Sequence, residues 1–428
     1  MGTELQGAVE LPLALQVLLL CALCPLQPCS MKTELLAVAV AAAISTPSAH
    51  GASPSNATAS HGWHHKWSTG HEMWFADFGY STLTDEQAAF VASHYSVVSL
   101  EKCTGSNVHM MTEPAIYQTA KQLKKLNPKL KVIFYWDTDQ GAIGCYAANK
   151  TLNAHPEWWL KQDNGSYVPG PRIDFGVQAA ADWWVSVPLD PQWGDPKIID
   201  GVLADGAGYG PIPGVSTARA EAFYSAKKAA MAKMQAKYTA LNGGIVMGNG
   251  LNMYGGANAN PGHPHDLDLL DSVDAVMNEH YAVFECVNAQ NHSLNLEMVK
   301  TDLAIIEQAA SDLTKNVFVS TWPGLFVGFG KDGFPLWPQG GEPQPVGNDG
   351  WRKALSDHFM FAFASVLTVA GPNVYMTYGV WYELHQGYVS CPDAPESCCT
   401  PLDYCAPSLI LCDTPSLNLS LLAESIVP

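Results

Sequence analysis

Short apolar runs alternate with longer amphipathic stretches between Trp74 and Gly379, and this alternation constrains the fold more than any other feature. Eight runs can be counted: Trp74 to Phe78, Val97 to Glu101, Lys131 to Asp137, Ile198 to Asp205, Ile245 to Asn249, Ala275 to Tyr281, Val317 to Trp322 and Asn373 to Tyr378. Short apolar runs followed by helix-length stretches are typical of βα repeats with a parallel sheet. The pattern therefore predicts an α/β protein built as a (β/α)8 TIM barrel.

Helical stretches are predicted between most of these runs. They are Thr84 to His94, Pro114 to Leu126, Ala179 to Val187, Ser216 to Leu241, Leu294 to Ser311 and Trp351 to Val369. The first opens with the capping-box sequence Thr84-Asp85-Glu86-Gln87. The third connection, Thr138 to Lys197, is extended. An open doubly wound sheet is the alternative fold, and it is disfavoured because no Gly-x-Gly-x-x-Gly follows the first strand.

The N-terminal sequence predicts a leader over residues 1–51 that contains a signal peptide. Lys32 precedes an apolar stretch from Leu35 to Ile44, and small residues near Ala49 offer a cleavage site, so we expect Met31 to be the biological start. A membrane anchor at residues 11–23 is the alternative, although this stretch is short for a span. Past residue 51 no apolar stretch approaches the roughly 18 residues of a transmembrane helix. We therefore expect a secreted protein without a stable membrane span.

The remaining chain divides into an N-terminal segment at 52–72, the barrel at 73–382 and a short Cys-rich C-terminal tail at 383–428. Sequons for N-glycosylation occur at Asn56, Asn149, Asn164, Asn291 and Asn418. Eight cysteines follow the leader, and five of them lie in the tail. An even number of cysteines in a secreted chain predicts disulfides.

The net charge of −18 argues against a nucleic-acid partner, because a polyanion binder needs a basic face. An uncharged or cationic substrate is easier to accept. The chain also contains 13 tryptophans, whose indole faces can stack on sugar rings although most tryptophans fill cores.

Strand ends supply the candidate site, because the C-terminal ends of barrel strands meet at one face. The side chains there are acidic, polar and aromatic: Asp77, Glu101 with Lys102, Trp136 with Asp137 and Asp139, Asp205, Asn249 with Asn252, Glu279 with His280 and Tyr281, Trp322, and Tyr375 with Tyr378. Some of these carboxylates could instead cap the following helix.

Asp205 and Glu279, at the ends of the fourth and sixth strands, are predicted to be the catalytic pair of a glycoside hydrolase. Cleavage of a glycosidic bond needs one acid to protonate the leaving oxygen and one carboxylate to attack the anomeric carbon or activate water. We expect Asp205 to be the nucleophile or charge stabiliser and Glu279 the acid/base. Asp137 is the alternative to Asp205, and Glu101 is the alternative to Glu279.

Nine of the strand-end residues are predicted to bind substrate: Asp77, Glu101, Trp136, Asp137, Asn249, His280, Tyr281, Trp322 and Tyr378. Of Glu279 and His280, a regular strand would direct only one into the barrel mouth. Trp136 and Trp322 are candidates for a sugar platform, with sealing of the barrel top as the equal alternative. Trp183 and Trp184 lie at helical positions and are expected to pack.

A metal-dependent hydrolase is a weaker hypothesis. Histidines cluster near the N-terminus at His61, His64, His65 and His71, and again at His263 and His265. A barrel amidohydrolase carries His-x-His at the end of its first strand, whereas this strand ends in Ala76-Asp77-Phe78. We therefore expect no metal and no cofactor.

Several motifs in order resemble the glycosyl-hydrolase-like family fifteen, a set of TIM-barrel glycosidases distantly similar to the α-galactosidase and polygalactosaminidase groups. They are Trp74-Phe75-Ala76-Asp77-Phe78-Gly79, Asp85-Glu86-Gln87-Ala88-Ala89, Val132-Ile133-Phe134-Tyr135-Trp136-Asp137, His155-Pro156-Glu157-Trp158, Ile173-Asp174-Phe175, Trp183-Trp184, Asp200-Gly201-Val202-Leu203-Ala204-Asp205-Gly206 and Thr321-Trp322-Pro323-Gly324. The resemblance implies a retaining-type barrel with acids after strands four and six, which are Asp205 and Glu279 here. It covers residues 72–379, and the tail after Tyr382 departs from it.

A secreted glycoside hydrolase acting on a glycan is thus the leading hypothesis. A carbohydrate-binding barrel without catalysis is the alternative from another class, and a metal-dependent hydrolase is the third.

Overall fold

The computed structural model describes residues 63, 74–77, 82–109, 111–138, 145–170, 172–251, 264–282, 295–321, 328–329, 335–336 and 359–378. Within these residues the chain forms one eight-stranded sheet in which neighbouring strands are also neighbours in sequence. The strands are β1 (Trp74–Asp77), β2 (Val97–Leu100), β3 (Lys131–Asp137), β4 (Gly201–Asp205), β5 (Ile245–Asn249), β6 (Ala275–Asn278), β7 (Asn316–Thr321) and β8 (Val374–Tyr378). A separate two-residue antiparallel pair joins Gly328–Phe329 to Pro335–Leu336.

Every ladder between neighbouring strands of this sheet is parallel. Cα atoms of β1 and β8 come within 8 Å of each other, although no ladder between these two strands is found in the described part of the chain. The α/β class with a parallel sheet is therefore confirmed, and the closed barrel stays a prediction.

The strands form because their apolar residues are buried on both faces, as parallel strands between helices require. All residues of β2, β6 and β7 are buried, and β3 is buried from Val132 to Asp137. The register pairs Asp137 of β3 with Asp205 of β4, so their C-terminal ends lie level. This alignment places the polar residues at one edge of the sheet.

The helices between the strands agree with the predicted periodicity. They are α1 (Asp85–His94), α2 (Ser106–His109), α3 (Thr112–Leu126), α4 (Asn149–Asn153), α5 (Gln178–Ser186), α6 (Thr217–Asn242) and α7 (Leu296–Ala310), and residues 359–367 are also helical. The Thr84 side chain accepts from the N–H of Gln87, whose side chain accepts in return from the Thr84 N–H, which confirms the capping box. Helix α6 ends at Gly243, whose φ of 66° is easily adopted by glycine.

The extended β3–β4 connection folds into α4, a short antiparallel pairing and α5. Trp159 pairs with Ile173, and Lys161 with Tyr167. Trp183 and Trp184 both lie in α5, where Trp184 is buried in the core and Trp183 packs partly buried against it, as expected. The only disulfide among the described residues joins Cys103, just after β2, to Cys145 in this connection.

The predicted leader, the Cys-rich tail and the sequons at Asn56, Asn291 and Asn418 lie outside the described residues. Within the part of the chain that is described, no helix is both long and apolar enough to cross a bilayer. The domain boundaries stay a prediction.

Candidate active site

Asp205 lies at the C-terminal end of β4 and accepts four hydrogen bonds. Its Oδ1 accepts from Asn249 Nδ2 at 2.8 Å and from the Gly206 N–H at 2.9 Å. Its Oδ2 accepts from the Tyr135 hydroxyl and from Lys102 Nζ, the latter at 3.3 Å. A carboxylate has about four lone-pair positions, so this set of donors fills them.

These donors keep Asp205 ionised. Burial by itself would raise its pKa, but the Lys102 ammonium and the hydrogen bonds from Tyr135, Asn249 and Gly206 outweigh burial and hold the pKa below its usual range. Lys102 also hydrogen-bonds the Tyr135 hydroxyl at 3.0 Å. Burial disfavours its charged form, yet the neighbouring acids, foremost Asp205, raise the pKa of Lys102. The site therefore contains a stable Lys102–Asp205 ion pair.

Asn249, at the end of β5, connects the two predicted catalytic residues. Its Nδ2 lies 2.8 Å from Asp205 Oδ1 and 2.7 Å from Glu279 Oε2. Since β5 lies between β4 and β6 in the sheet, one amide can reach a carboxylate on either side. The two carboxylates thus face each other across Asn249.

Both carboxylates line a cavity of about 330 Å³ at this end of the sheet. The side chain of Asp205 is 22% exposed and that of Glu279 is 28% exposed, so each is accessible while held by the protein. Asn249 and His280 line the same cavity. A sugar oxygen could therefore approach both acids at once.

His280 also faces the cavity, which departs from the expectation that only one of Glu279 and His280 would. Strand β6 ends at Asn278, so strict alternation does not extend to these two residues. His280 Nε2 lies 3.9 Å from Glu279 Oε2. Burial lowers the pKa of His280 although the Glu279 and Asp205 carboxylates oppose this effect, so the imidazole is neutral at pH 7.

Glu101, the alternative to Glu279, lies directly after β2 and is only 3% exposed. Burial raises its pKa to about 8, against the opposing effects of Lys102 and of the Ser99 hydroxyl, which donates to Oε1 at 2.8 Å. Its carboxyl is therefore protonated at pH 7. Asp137, the alternative to Asp205, is buried, and neither Glu101 nor Asp137 is among the described residues that line the cavity.

Three aromatic residues predicted to bind substrate are buried instead, which corrects that prediction. Trp136 is 2% exposed, and its indole N–H donates to the Trp184 carbonyl, so it seals the top of the sheet. Tyr281 is fully buried, with its hydroxyl 2.6 Å from Ser365 Oγ. Tyr378 packs edge-on against a phenylalanine ring, and Tyr375 is likewise buried.

Other predicted positions lie wholly or partly outside the described residues. The backbone of Asp77 is in β1, but its side chain lies outside the described residues. Trp322, Asn252, Asp139, His263 and the N-terminal histidines also lie outside them.

The structure adds a partner of Asp205 and two cavity residues that sequence reasoning missed. Tyr135 lies one position before Trp136 on β3 and contacts Asp205, whereas Arg172 reaches the cavity from the β3–β4 connection. Tyr209 enters from the segment after β4. For Tyr209 a signal was available, since Gly206, Gly208 and Gly210 surround it directly after the predicted nucleophile, and glycines permit close approach of the backbone.

Known structures with a similar arrangement include several glycosidases. A fungal β-1,4-galactanase has a TM-score of 0.43 at 11% identity, with 74% of this chain and 91% of that chain covered. A xylosidase from Aspergillus niger has a TM-score of 0.42 at 10% identity, with coverage of 83% and 48%. The carboxyl transferase domain of Rhizobium etli pyruvate carboxylase has a TM-score of 0.34 at 8% identity, with coverage of 83% and 47%.

Sequence comparison is more specific. No curated protein matches the chain, but the family model described as hypothetical glycosyl hydrolase family 15 matches residues 124–320. The matched stretch contains both Asp205 and Glu279. The resemblance to glycosyl-hydrolase-like family fifteen is thus confirmed over residues 124–320, and the enzyme class that it implies is glycoside hydrolase.

Proposed function

We propose that this protein is a glycoside hydrolase in which Asp205 and Glu279 form the catalytic pair. One observation carries the proposal: a single amide nitrogen, Asn249 Nδ2, holds one oxygen of each carboxylate at the wall of one cavity. Two facing carboxyl groups are the minimum requirement for hydrolysis of a glycosidic bond. The family match adds support, because its stretch contains both acids.

The short bridge favours a retaining mechanism. Asp205 Oδ1 and Glu279 Oε2 both accept from Asn249 Nδ2, at 2.8 and 2.7 Å. The distance between these two oxygens therefore cannot exceed the sum of the two hydrogen-bond lengths. Carboxyl separations of about 5 to 5.5 Å are typical of retaining enzymes, whereas inverting enzymes need about 6.5 to 9.5 Å to admit water. We therefore assign Asp205 the role of nucleophile and Glu279 that of acid/base.

In this mechanism a carboxylate oxygen of Asp205 bonds to the anomeric carbon while the bond to the leaving oxygen breaks. Glu279 gives its proton to that oxygen and afterwards removes a proton from the water that hydrolyses the glycosyl–Asp205 ester. Because four donors occupy Asp205, one of them must move away before attack. Lys102 makes the longest of the four hydrogen bonds to Asp205, at 3.3 Å, and its side chain is 29% exposed, so it is the donor most easily displaced by substrate.

The first experiment measures release of reducing sugar from a broad glycan panel by wild type, Asp205→Asn and Glu279→Gln. We expect each variant to lose activity by about 100-fold to 10,000-fold, the contribution typical of one acid–base group. Glu307→Gln, on the exposed side of α7, is the matched control and should keep full activity.

Two results would contradict the proposal. One is a wild-type protein that hydrolyses no glycan in the panel. If both variants also bound glycans as wild type does, the carbohydrate-binding alternative would be favoured. The other is activity that survives both substitutions. Loss of activity with a chelator, followed by recovery with zinc, would favour a metal-dependent hydrolase.

We also propose that the protein enters the secretory pathway. The apolar stretch after Lys32 supports this proposal, as does the Cys103–Cys145 disulfide, since disulfides persist mainly in oxidising compartments. Expression in a eukaryotic host should yield protein in the medium with its N-terminus near Gly51. Retention of the full leader on a protein inside the cell would exclude this route.

A further inference from the structure

We infer that Tyr209 is the sugar-stacking residue of the cavity, with its ring as one wall of the subsite beside Asp205. The inference rests on the proposed function, because it assigns a binding role within the same site. Tyr209 lines the cavity together with Asp205 and Glu279 and is partly exposed.

Other aromatic residues near the cavity are less accessible. Phe223 and Tyr224 also line it, but they are only 6% and 1% exposed. Trp136, the aromatic residue expected from the sequence, is covered by its neighbours. Among the described phenylalanine, tyrosine and tryptophan residues that line the cavity, Tyr209 is therefore the one with ring surface available to a ligand.

The backbone that carries Tyr209 is held from two sides. Lys227 of α6, itself 1% exposed, donates from Nζ to the Gly206 carbonyl at 2.6 Å and to the Gly208 carbonyl at 3.1 Å. The Tyr209 N–H donates to Asp266 Oδ1 at 3.0 Å. This segment follows Asp205 directly, so the same contacts fix the spacing between the tyrosine ring and the nucleophile.

Gly208 is required for this arrangement. A Cβ at this position would lie 2.8 Å from Asp266 Oδ2 and 3.2 Å from the Gly250 Cα, which is too close for a carbon atom. Glycine therefore allows Asp266 to approach the segment and accept from the next residue. The arrangement orients the backbone before any ligand binds.

The ring is fixed as well as the backbone. It packs edge-on against Tyr224, with ring centroids 5.5 Å apart and an interplanar angle of 83°. Its hydroxyl bonds to Glu221, and burial together with this carboxylate raises the pKa of Tyr209, so the phenol stays neutral. A ring already held in place loses little conformational entropy on binding, which favours affinity.

The chemistry of such a ring suits a pyranose. The C–H groups of one sugar face form an apolar patch that packs on an aromatic face, while the hydroxyl groups on the edge remain free to hydrogen-bond. Asp205, Glu279, Asn249 and His280 supply polar partners in the same cavity. We therefore expect the ring of Tyr209 to bind the sugar by shape and not by charge.

The test compares Tyr209→Ala, Tyr209→Phe and Tyr167→Ala in the full-length chain. Tyr167 is 52% exposed, is not among the cavity-lining residues and serves as the matched control. The probes are oligosaccharides of β-1,4-linked galactose, mannose, xylose and glucosamine. Hydrolysis gives kcat and KM, and Asp205→Asn backgrounds of the same variants give Kd on a glycan array.

We expect Tyr209→Ala to raise KM and Kd by roughly tenfold, which is the upper range for the loss of one aromatic contact. The value of kcat should change little, because stacking stabilises the bound substrate and the transition state equally. Tyr209→Phe retains the ring and should raise KM and Kd much less than Tyr209→Ala does, whereas Tyr167→Ala should match wild type. If Tyr209→Ala proves unstable in a melting experiment, Tyr209→Leu replaces it, since leucine fills space without an aromatic face.

Unchanged Kd and KM in the alanine or leucine variant would overturn the inference. An equal loss of affinity in Tyr209→Phe would also overturn it, because the hydroxyl and not the ring would then be the contact. A protein that binds none of the probes would overturn it as well. Failure of the proposed function is separate: a chain without hydrolysis whose array binding still depends on the Tyr209 ring would retain the stacking site and lose the catalytic assignment.

Discussion

Two acidic residues of the site show how the surroundings of a carboxyl group decide its charge. The Lys102 ammonium and further hydrogen-bond donors stabilise the Asp205 carboxylate, so Asp205 is ionised. Glu101 lies one residue before Lys102 but is buried, and burial outweighs the opposing effects of Lys102 and of the Ser99 hydroxyl on its pKa, so it is neutral at pH 7. Environments that separate the pKa values of neighbouring acids are typical of catalytic sites.

Glu101 should therefore make stability fall with rising pH. The unfolded chain ionises this group near 4.5, whereas the folded chain keeps the proton up to about 8. Between these values the folded state binds the extra proton, so the contribution of Glu101 to the free energy of unfolding decreases as pH rises, by up to about 1.4 kcal/mol per unit. Urea unfolding from pH 5 to pH 8 measures this slope.

Glu101→Gln is the informative variant, because glutamine resembles the protonated acid but cannot ionise. We expect its free energy of unfolding to decline less steeply than that of wild type across this window. Glu307→Gln, at an exposed position, should follow wild type. Parallel slopes for wild type and Glu101→Gln would show that the folded protein does not hold this proton.

Position at strand ends predicted Asp205, Asn249 and Glu279, because the ends of parallel strands must meet at one edge. The partners of Asp205 could not be predicted in the same way. Tyr135 and Lys102 come from other strands, and their contact depends on register and side-chain direction, which the sequence does not encode locally. Trp136 and Tyr281 were misassigned because an aromatic residue at a strand end can either face the cavity or seal the core.

At the level of elements, strand β6 shows why ends are harder to predict than centres. The apolar run continues to Tyr281, yet the strand ends at Asn278. Tyr281 and Ala282 are buried although Ala282 has a φ of 59°, so burial persists where extended backbone does not. The hydrophobic pattern therefore predicts which residues are buried, but it does not predict where the strand turns.

The turn after β2 contains Lys102, the residue that pairs with Asp205. Thr104 Oγ1 donates to the Glu101 carbonyl at 2.7 Å, and Cys103 joins this turn to Cys145 across 42 residues of sequence. A crosslink of this span restricts the unfolded chain, which stabilises the folded state by roughly 3 to 4 kcal/mol. Replacing both cysteines by alanine should lower the free energy of unfolding by about that amount.

Reductant provides the internal control for this prediction. Added dithiothreitol should shift the urea midpoint of wild type towards that of the Cys103→Ala, Cys145→Ala double variant and leave the double variant unchanged. A double variant as stable as wild type would show that the bridge does not stabilise the fold. A double variant that still responds to reductant would assign the effect to other cysteines.

At the scale of the whole molecule, strand β4 has an acidic residue at each end, and the two residues lie at opposite edges of the sheet. Asp205 ends β4 at the cavity, while Asp200 precedes the same strand at the opposite edge of the sheet. Asp200 accepts from Lys124 Nζ at 2.6 Å, Lys131 Nζ at 3.3 Å and the Val132 N–H at 2.8 Å. In barrel enzymes the C-terminal face carries chemistry and the opposite face carries stability.

This division predicts opposite outcomes for two identical substitutions five positions apart. Asp200→Asn removes the negative charge that pairs with Lys124. The side chains of Asp200 and Lys124 are only 10% and 11% exposed, so this substitution should lower the free energy of unfolding by roughly 1 to 3 kcal/mol. Its kcat/KM below the melting temperature should match wild type. Asp205→Asn should lower hydrolysis by about 100-fold to 10,000-fold. It should cost less stability than Asp200→Asn, because the Lys102 and Asp205 side chains are 29% and 22% exposed and solvent screens their ion pair. Urea unfolding and reducing-sugar release on both variants test the division, and it is wrong if Asp200→Asn loses activity while fully folded or if Asp205→Asn is the less stable of the two.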